Sequence, residues 1–189
     1  AAGEYAELLR AMVLAHKERR VLALAAPLGR VLAATVGATG VGDPVVLVPV
    51  PSRPATVRAR GHDPTATMTQ AAASILRSGG RDVLGVPLLR TRSGLLDQAG
   101  LDAGERAANL AGSLHCPARA LRRLAIRRPH ARVVVCDDVV TTGATAREAQ
   151  RALEAVGLPV AAIAAVAATR RRWGPVPGPP ALSSSPPRD

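Results

Sequence analysis

Aromatic side chains are almost missing from this chain of 189 residues, which has no Phe, one Tyr and one Trp. Tyr5 and Trp173 cannot build the stacking platform on which single-stranded bases are usually held, so any nucleic-acid contact has to be mainly electrostatic. Lysine is nearly absent too. Lys17 is the sole lysine among 25 basic residues, and the formal charge of +11 is carried almost wholly by arginine. Such a surface draws phosphorylated small molecules, pyrophosphate and polyanions; abundant Ala, Gly and Pro beside Arg is also the composition expected of very GC-rich coding DNA. Cys116 and Cys136 are the only cysteines, and no histidine stands at ligand spacing from either, which argues against a metal cluster or a disulfide framework. His16, His62, His115 and His130 are scattered and read as surface or loop histidines. No apolar run reaches membrane-spanning length: Pro27, Gly29 and Arg30 interrupt the stretch from Val21 to Thr39, and Val160 to Ala168 is too short. Glu4, Glu7 and Arg10 break up the first residues, so no secretory signal is read there and a cytoplasmic location is expected.

The hydrophobic fraction of 48% supports one α/β domain over residues 1–169. From Arg170 the Pro-, Gly- and Ser-rich residues 170–189 cannot build a core and read as a disordered tail. Helices are expected over Glu4 to Lys17, over Val21 to Thr39 with a break near Pro27, and over Pro64 to Arg77. Pro44 to Pro51 is the first strong strand, followed by a basic loop from Ser52 to Asp63. A second strand is expected at Val83 to Arg90, with Pro87 marking an edge or bulge. Thr91 to Ala103 reads as a long loop able to close over a ligand, and Glu105 to Leu110 as a short helix. Arg119 to Arg132, with six arginines, is either an insertion or a basic solvated face. Repeated strand-then-helix units imply a mainly parallel sheet with helices on both faces.

The chemistry concentrates in Val133-Val134-Val135-Cys136-Asp137-Asp138-Val139-Val140-Thr141-Thr142-Gly143-Ala144-Thr145. A short β-branched run reads as an inner parallel strand that stops at two acids and turns into a hydroxyl-rich helix start. Cys136 is expected as a small buried side chain of that strand. A helix N-terminus offers unpaired N–H groups and the positive end of the dipole, so a phosphate is stabilised there. Gly143 lets the backbone approach the anion. Adjacent carboxylates at the carboxyl end of the strand lie where α/β sheets bind ligands and can accept hydrogen bonds from vicinal hydroxyls. Acids for ribose hydroxyls followed at once by a phosphate turn describe a ribose 5-phosphate site.

This segment resembles the 5-phosphoribosyl-1-pyrophosphate (PRPP) motif of type I phosphoribosyltransferases. VPVPSRPATVRARGHD and QAGLDAGERAANLAGSL further resemble two signatures of the ComF-type family, as does LAHKERRVLALAAPLGRVLA near the amino terminus, so the resemblance covers about residues 5–169. It implies a type I phosphoribosyltransferase-like fold with a flexible hood or loop. By resemblance, Asp137 and Asp138 hold the ribose 2′- and 3′-hydroxyls, while Thr141, Thr142, Gly143, Ala144 and Thr145 hold the 5′-phosphate. Arg53, Arg58 and Arg60, whose guanidinium forks suit phosphate oxygens, together with Gln98 and Arg106, resemble the pyrophosphate side; Glu105 and Asn109 belong to the same signature. Mg²⁺ is expected on the substrate's own oxygens, with no direct protein ligand. The family's four-cysteine zinc module has no counterpart here, and His62 and Asp63 stand where the family has an Asn after its RG-aromatic sequence.

Two functions follow from the resemblance. One is a Mg²⁺-dependent transferase that moves the phosphoribosyl group to an acceptor the residues do not specify, with release of pyrophosphate. The other is a non-catalytic PRPP-fold accessory protein of DNA uptake, partnered by single-stranded DNA and a DNA-uptake helicase. Dimers are common in the fold resembled, so a homodimer is an expectation of the same kind.

Overall fold

The computed structural model describes residues 3–4, 7–92 and 112–169. Gly3–Glu4 forms β1, followed by α1 (Glu7–Glu18), a 3₁₀ turn at Leu22–Leu24, α2 (Ala25–Ala38), β2 (Val45–Pro49), α3 (Pro54–Arg60) and α4 (Pro64–Ser78). Then come β3 (Val83–Gly85), β4 (Arg90–Thr91), β5 (Leu114–His115), α5 (Ala118–Arg127), β6 (Arg132–Val140), α6 (Ala144–Glu154) and β7 (Val160–Ala168). The main sheet is parallel throughout, in the order β1-β7-β6-β2-β3, with β1 a two-residue edge on β7; β4 and β5 form a separate antiparallel pair. Among the described residues no helix is long and apolar enough to cross a membrane.

The Val-rich strands β2 and β6 are buried on both faces, and their alternation assigns each side chain to one of two cores. Val45 and Leu47 of β2 with Val134 and Cys136 of β6 face α1, α2 and α4, meeting Val13, Leu28, Leu32, Val36, Met68 and Ala72. Val46 and Val48 with Val133 and Val135 face the other way, meeting Leu124 of α5 and Ala149, Ala152 and Leu153 of α6. This is the two-faced parallel α/β arrangement that the strand-then-helix order predicts. On the first face α2 and α4 cross closely, because Gly29 has no side chain; a Cβ built there would meet the Ala71 Cβ at 2.6 Å.

Several expectations need correction. Pro27 does not break the second helix: α2 starts at Ala25, so Pro27 lies in its first turn, where its missing N–H costs no intrahelical bond. The break comes earlier, where Arg20 takes a positive φ of 54° and the Val21 amide donates back to Ala15 O to close α1. The basic segment after β2 is helical, not a loop, with Pro54 at its first position and Gly61 at its left-handed cap (φ 78°). The span Val83 to Arg90 is divided: Val83–Gly85 pairs with β2, and the chain turns at Pro87 before Arg90–Thr91 joins β5. The motif strand does not stop at the acids, since β6 runs through Asp137 and Asp138 to Val140, paired with β7. His16 is 2% exposed rather than a surface residue. The expected closing loop from Ser93 on, the Glu105–Leu110 helix and the tail 170–189 lie outside the described residues.

Candidate functional site

The site arises where two neighbouring strands part. β2 and β6 run side by side from Val45↔Arg132 to Pro49↔Cys136, and the Val50 amide donates to Cys136 O at 2.8 Å as their last bond. Beyond that point β2 leads through α3 and α4 to β3 on one side, whereas β6 continues and leads through α6 to β7 on the other. Such a switch in direction opens a crevice at the carboxyl ends of the strands. Asp137 and Asp138 are the first residues of β6 past the end of β2.

Strand alternation starts the two acid side chains on opposite faces, yet their carboxyl groups stay close enough to interact by charge and hydrogen bonding. Asp138 shares its parity with Val134 and Cys136 and so faces α1, where Lys17 Nζ lies 2.5 Å from its Oδ2. Its Oδ1 accepts the Val139 amide at 2.8 Å. Asp137 faces the α6 side, and its Oδ1 accepts the Asp138 amide at 2.9 Å. Both acids are buried, at 8% and 6% exposure. Burial, and next the negative charge of Asp138, push the Asp137 carboxyl up from 3.8 to about 7; the Asp138 amide and the Lys17 ammonium only partly offset this. The adjacent Cys136 thiol is fully buried, and burial, with Asp137's charge adding, raises it far above the ordinary thiol range. It is an inert core side chain, as expected from its place in the strand.

Asp137 also lines a small cleft with Val139, Val140, Thr141, Gly143, Ala144, Thr145 and Ala146, of about 190 Å³ including the solvent at its mouth. Asp137 and the sequence-predicted turn are thus brought together in space, while Asp138 is placed against Lys17. Gly143 is the N-cap of α6 at φ 75°, a conformation that a Cβ strains. Thr142 Oγ1 accepts the Ala144 amide at 3.3 Å, and Thr141 and Thr142 are exposed. The arrangement presents hydroxyls and a helix N-terminus on one side of a buried carboxylate pair.

The arginines proposed for pyrophosphate have a more varied placement. Arg53 is the exposed N-cap residue of α3, and its carbonyl accepts the Val57 amide at 3.0 Å. Arg58 is exposed on α3, at the same carboxyl edge of the sheet as the acids. Arg60 is turned to Glu18, with Nη2 to Oε1 at 2.5 Å. Gln98, Glu105, Arg106 and Asn109 lie outside the described residues. Asp63, a departure from the resembled pattern, caps α4: its Oδ1 accepts the Ala66 amide at 3.2 Å, and Oδ2 accepts the Ser52 amide at 3.1 Å. Its carboxylate is thereby committed to ordering the chain after β2.

No protein-family model matches the chain, and no curated protein matches it. Among the described residues no group of three or more His, Cys, Asp or Glu is placed to hold a metal ion.

Two features had no signal in the motif. The first is Lys17, 121 positions from its partner by number (138 less 17), whose contact depends on α1 packing beside the end of β6. The second is Glu148, a buried acid on α6 that accepts the Leu114 amide at 3.0 Å and is gripped by Arg151 at 2.7 Å and 2.8 Å. Burial would raise this carboxyl, but hydrogen bonds from Arg151, Leu114 and Gly112 together hold it below its ordinary value. Glu148 and Arg151 tie β5 to α6. An acid and an arginine three apart on a helix are the only hint in the sequence.

Proposed function

We propose that the chain is a PRPP-binding, Mg²⁺-dependent phosphoribosyltransferase of the ComF type, transferring the phosphoribosyl group to an acceptor and releasing pyrophosphate. One observation carries this reading: a buried pair of adjacent carboxylates at the β2/β6 crevice leads directly into the Gly143 turn and the N-terminus of α6. Asp137 and Asp138 accept hydrogen bonds from the ribose 2′- and 3′-hydroxyls, and Thr141 to Thr145 hold the 5′-phosphate with amides and hydroxyls. Fixing both ends of the sugar positions C1 for attack as its bond to the leaving group lengthens. When bound with PRPP, Mg²⁺ would be carried on the substrate's own oxygens near Asp137 and Asp138 and would neutralise charge on the departing pyrophosphate. Arg53 and Arg58, at the same edge, contribute cations on the pyrophosphate side.

Calorimetric titration of PRPP, with and without Mg²⁺, into the wild type and Asp137→Asn/Asp138→Asn tests the site without requiring knowledge of the acceptor. Magnesium-dependent binding lost in the double variant supports the reading; no binding to folded wild type removes it.

A second reading, the non-catalytic accessory protein of DNA uptake, is favoured by a different observation. Arg119, Arg122, Arg123 and Arg127 are exposed on α5 alongside Ile126, which is 83% exposed. Single-stranded DNA binding that falls with salt and disappears on neutralising Arg122, Arg123, Arg127 and Arg128 supports that role, whereas equal binding to heparin counts against it.

A further inference from the structure

The only lysine in the chain reaches the acid pair, and it is held there by its neighbours. His16 and Glu18 both fasten the end of α1 to the segment that follows β2. His16 Nε2 lies 3.3 Å from Pro64 O and 3.3 Å from Thr67 Oγ1, and His62 Nε2 lies 3.2 Å from His16 O. Glu18 pairs with Arg60, and Arg20 donates to Ala59 O. Lys17 is therefore anchored through the residues on both sides of it. Its side chain, 31% exposed, comes to the 9% exposed Asp138 carboxylate from the solvent side. Lys17 Nζ meets Asp138 Oδ2 as an ion pair, and an ammonium has three donors to offer.

The placement has a direction. Asp137 opens to the cleft with the Gly143 turn on the α6 face, while Asp138 and Lys17 stand on the α1 face. The turn thus lies beside Asp137 and a fixed cation beside Asp138. A ribose held by its vicinal hydroxyls on those acids, with its 5′-phosphate in the turn, directs C1 away from the turn.

Resting on the ribose-phosphate reading above, we propose that Lys17 is a specificity-determining residue: its charge holds Asp138 in position, and its N–H donors bind an anionic group carried at C1. The site then discriminates for sugars phosphorylated at both ends. A pyrophosphate at C1 engages Lys17; ribose 5-phosphate, with a hydroxyl there, does not.

The uniqueness of Lys17 supplies the test. Full-length chain labelled with ε-¹⁵N-lysine gives one side-chain amino resonance. Asp138→Asn is expected to move it, and PRPP with Mg²⁺ is expected to move it in the wild type, while saturating ribose 5-phosphate leaves it near its starting position. In calorimetry, Lys17→Met is expected to weaken PRPP by about 10–100-fold, the worth of one charge-assisted hydrogen bond, and ribose 5-phosphate by less than about threefold. Lys17→Arg is expected to restore part of the PRPP affinity, and melting curves check that each variant folds. A folded Lys17→Met that loses both ligands equally, or neither, overturns the proposal alone, as does a wild-type resonance that responds identically to both sugars. The NMR arm on wild type decides the matter even if Lys17→Met fails to fold. A wild type that binds neither sugar overturns the ribose-phosphate reading and this proposal with it.

Discussion

Asp137→Asn should make this protein more stable at alkaline pH, and by an amount that depends on pH in a defined way. In the folded chain the Asp137 carboxyl is raised from 3.8 to about 7, first by burial and then by the charge of Asp138. Between those two values the native state holds a proton that the unfolded chain has lost, so stability falls as pH rises from about 4 to about 7 and is level above that. At about 1.4 kcal/mol per pH unit, the difference amounts to at most about 4 kcal/mol at pH 8. Asparagine keeps the shape and an oxygen able to accept the Asp138 amide, but carries no charge to bury. For a chain of this size 1 kcal/mol moves the melting temperature by about 2–4 °C, so Asp137→Asn should melt higher than wild type at pH 8, by at most about 8–16 °C, and within about 2 °C of it at pH 4. Differential scanning calorimetry across pH 4–8 reads this directly. Parallel pH profiles for the two proteins, or a variant less stable than wild type at pH 8, would refute the argument that the acid is held at a cost in stability. Ligand sites commonly retain such unfavourable groups.

Other outcomes follow from single contacts. Gly143→Ala places a Cβ at φ 75°, where it would also meet Arg147 Nη1 at 3.2 Å; about 1 kcal/mol of stability should be lost, with PRPP affinity falling at least about tenfold in calorimetry, and unchanged affinity would remove the turn from the site. Gly29→Ala drives a methyl into Ala71 on α4 and should lower stability by about 1–3 kcal/mol in urea unfolding, a neutral result meaning that α2 and α4 are free to separate. Glu148→Gln should cost about 1–3 kcal/mol at pH 7 by breaking the grip of Arg151. Because the folded Glu148 carboxyl lies below its ordinary 4.5, its stabilisation is present above that pH and is lost as pH falls through the lowered folded value, so the gap to wild type should close in acid. A gap constant from pH 7 to pH 3 would contradict the assignment.

Much of the architecture is legible because it depends on local pattern. The valines of β2 and β6 announce strands buried on both faces, and the helices α1 and α4 that cover them follow from their apolar spacing. The α3 helix was legible in principle from Pro54 and Gly61, a start and a stop seven residues apart, but four turns of pattern are not available in so short an element and its arginines obscure any apolar face. The end of β6 was hidden for another reason. Asp is a poor strand former, so two acids read as a stop; pairing of Asp137 with Ala165 and of Val139 with Ala167 carries the strand past them.

Residue types at fixed short spacing were enough to specify the acid pair, the glycine that turns the chain after it and the parallel α/β class. Three-dimensional packing was needed to establish that β2 ends one residue short of Asp137, that the two acid side chains leave the strand on opposite faces, and that Lys17 meets Asp138 while Arg60 turns to Glu18. Those facts depend on register between distant strands and on how α1 docks beside them. Charged side chains separated by many residues carry no periodic signal of the partner they will find.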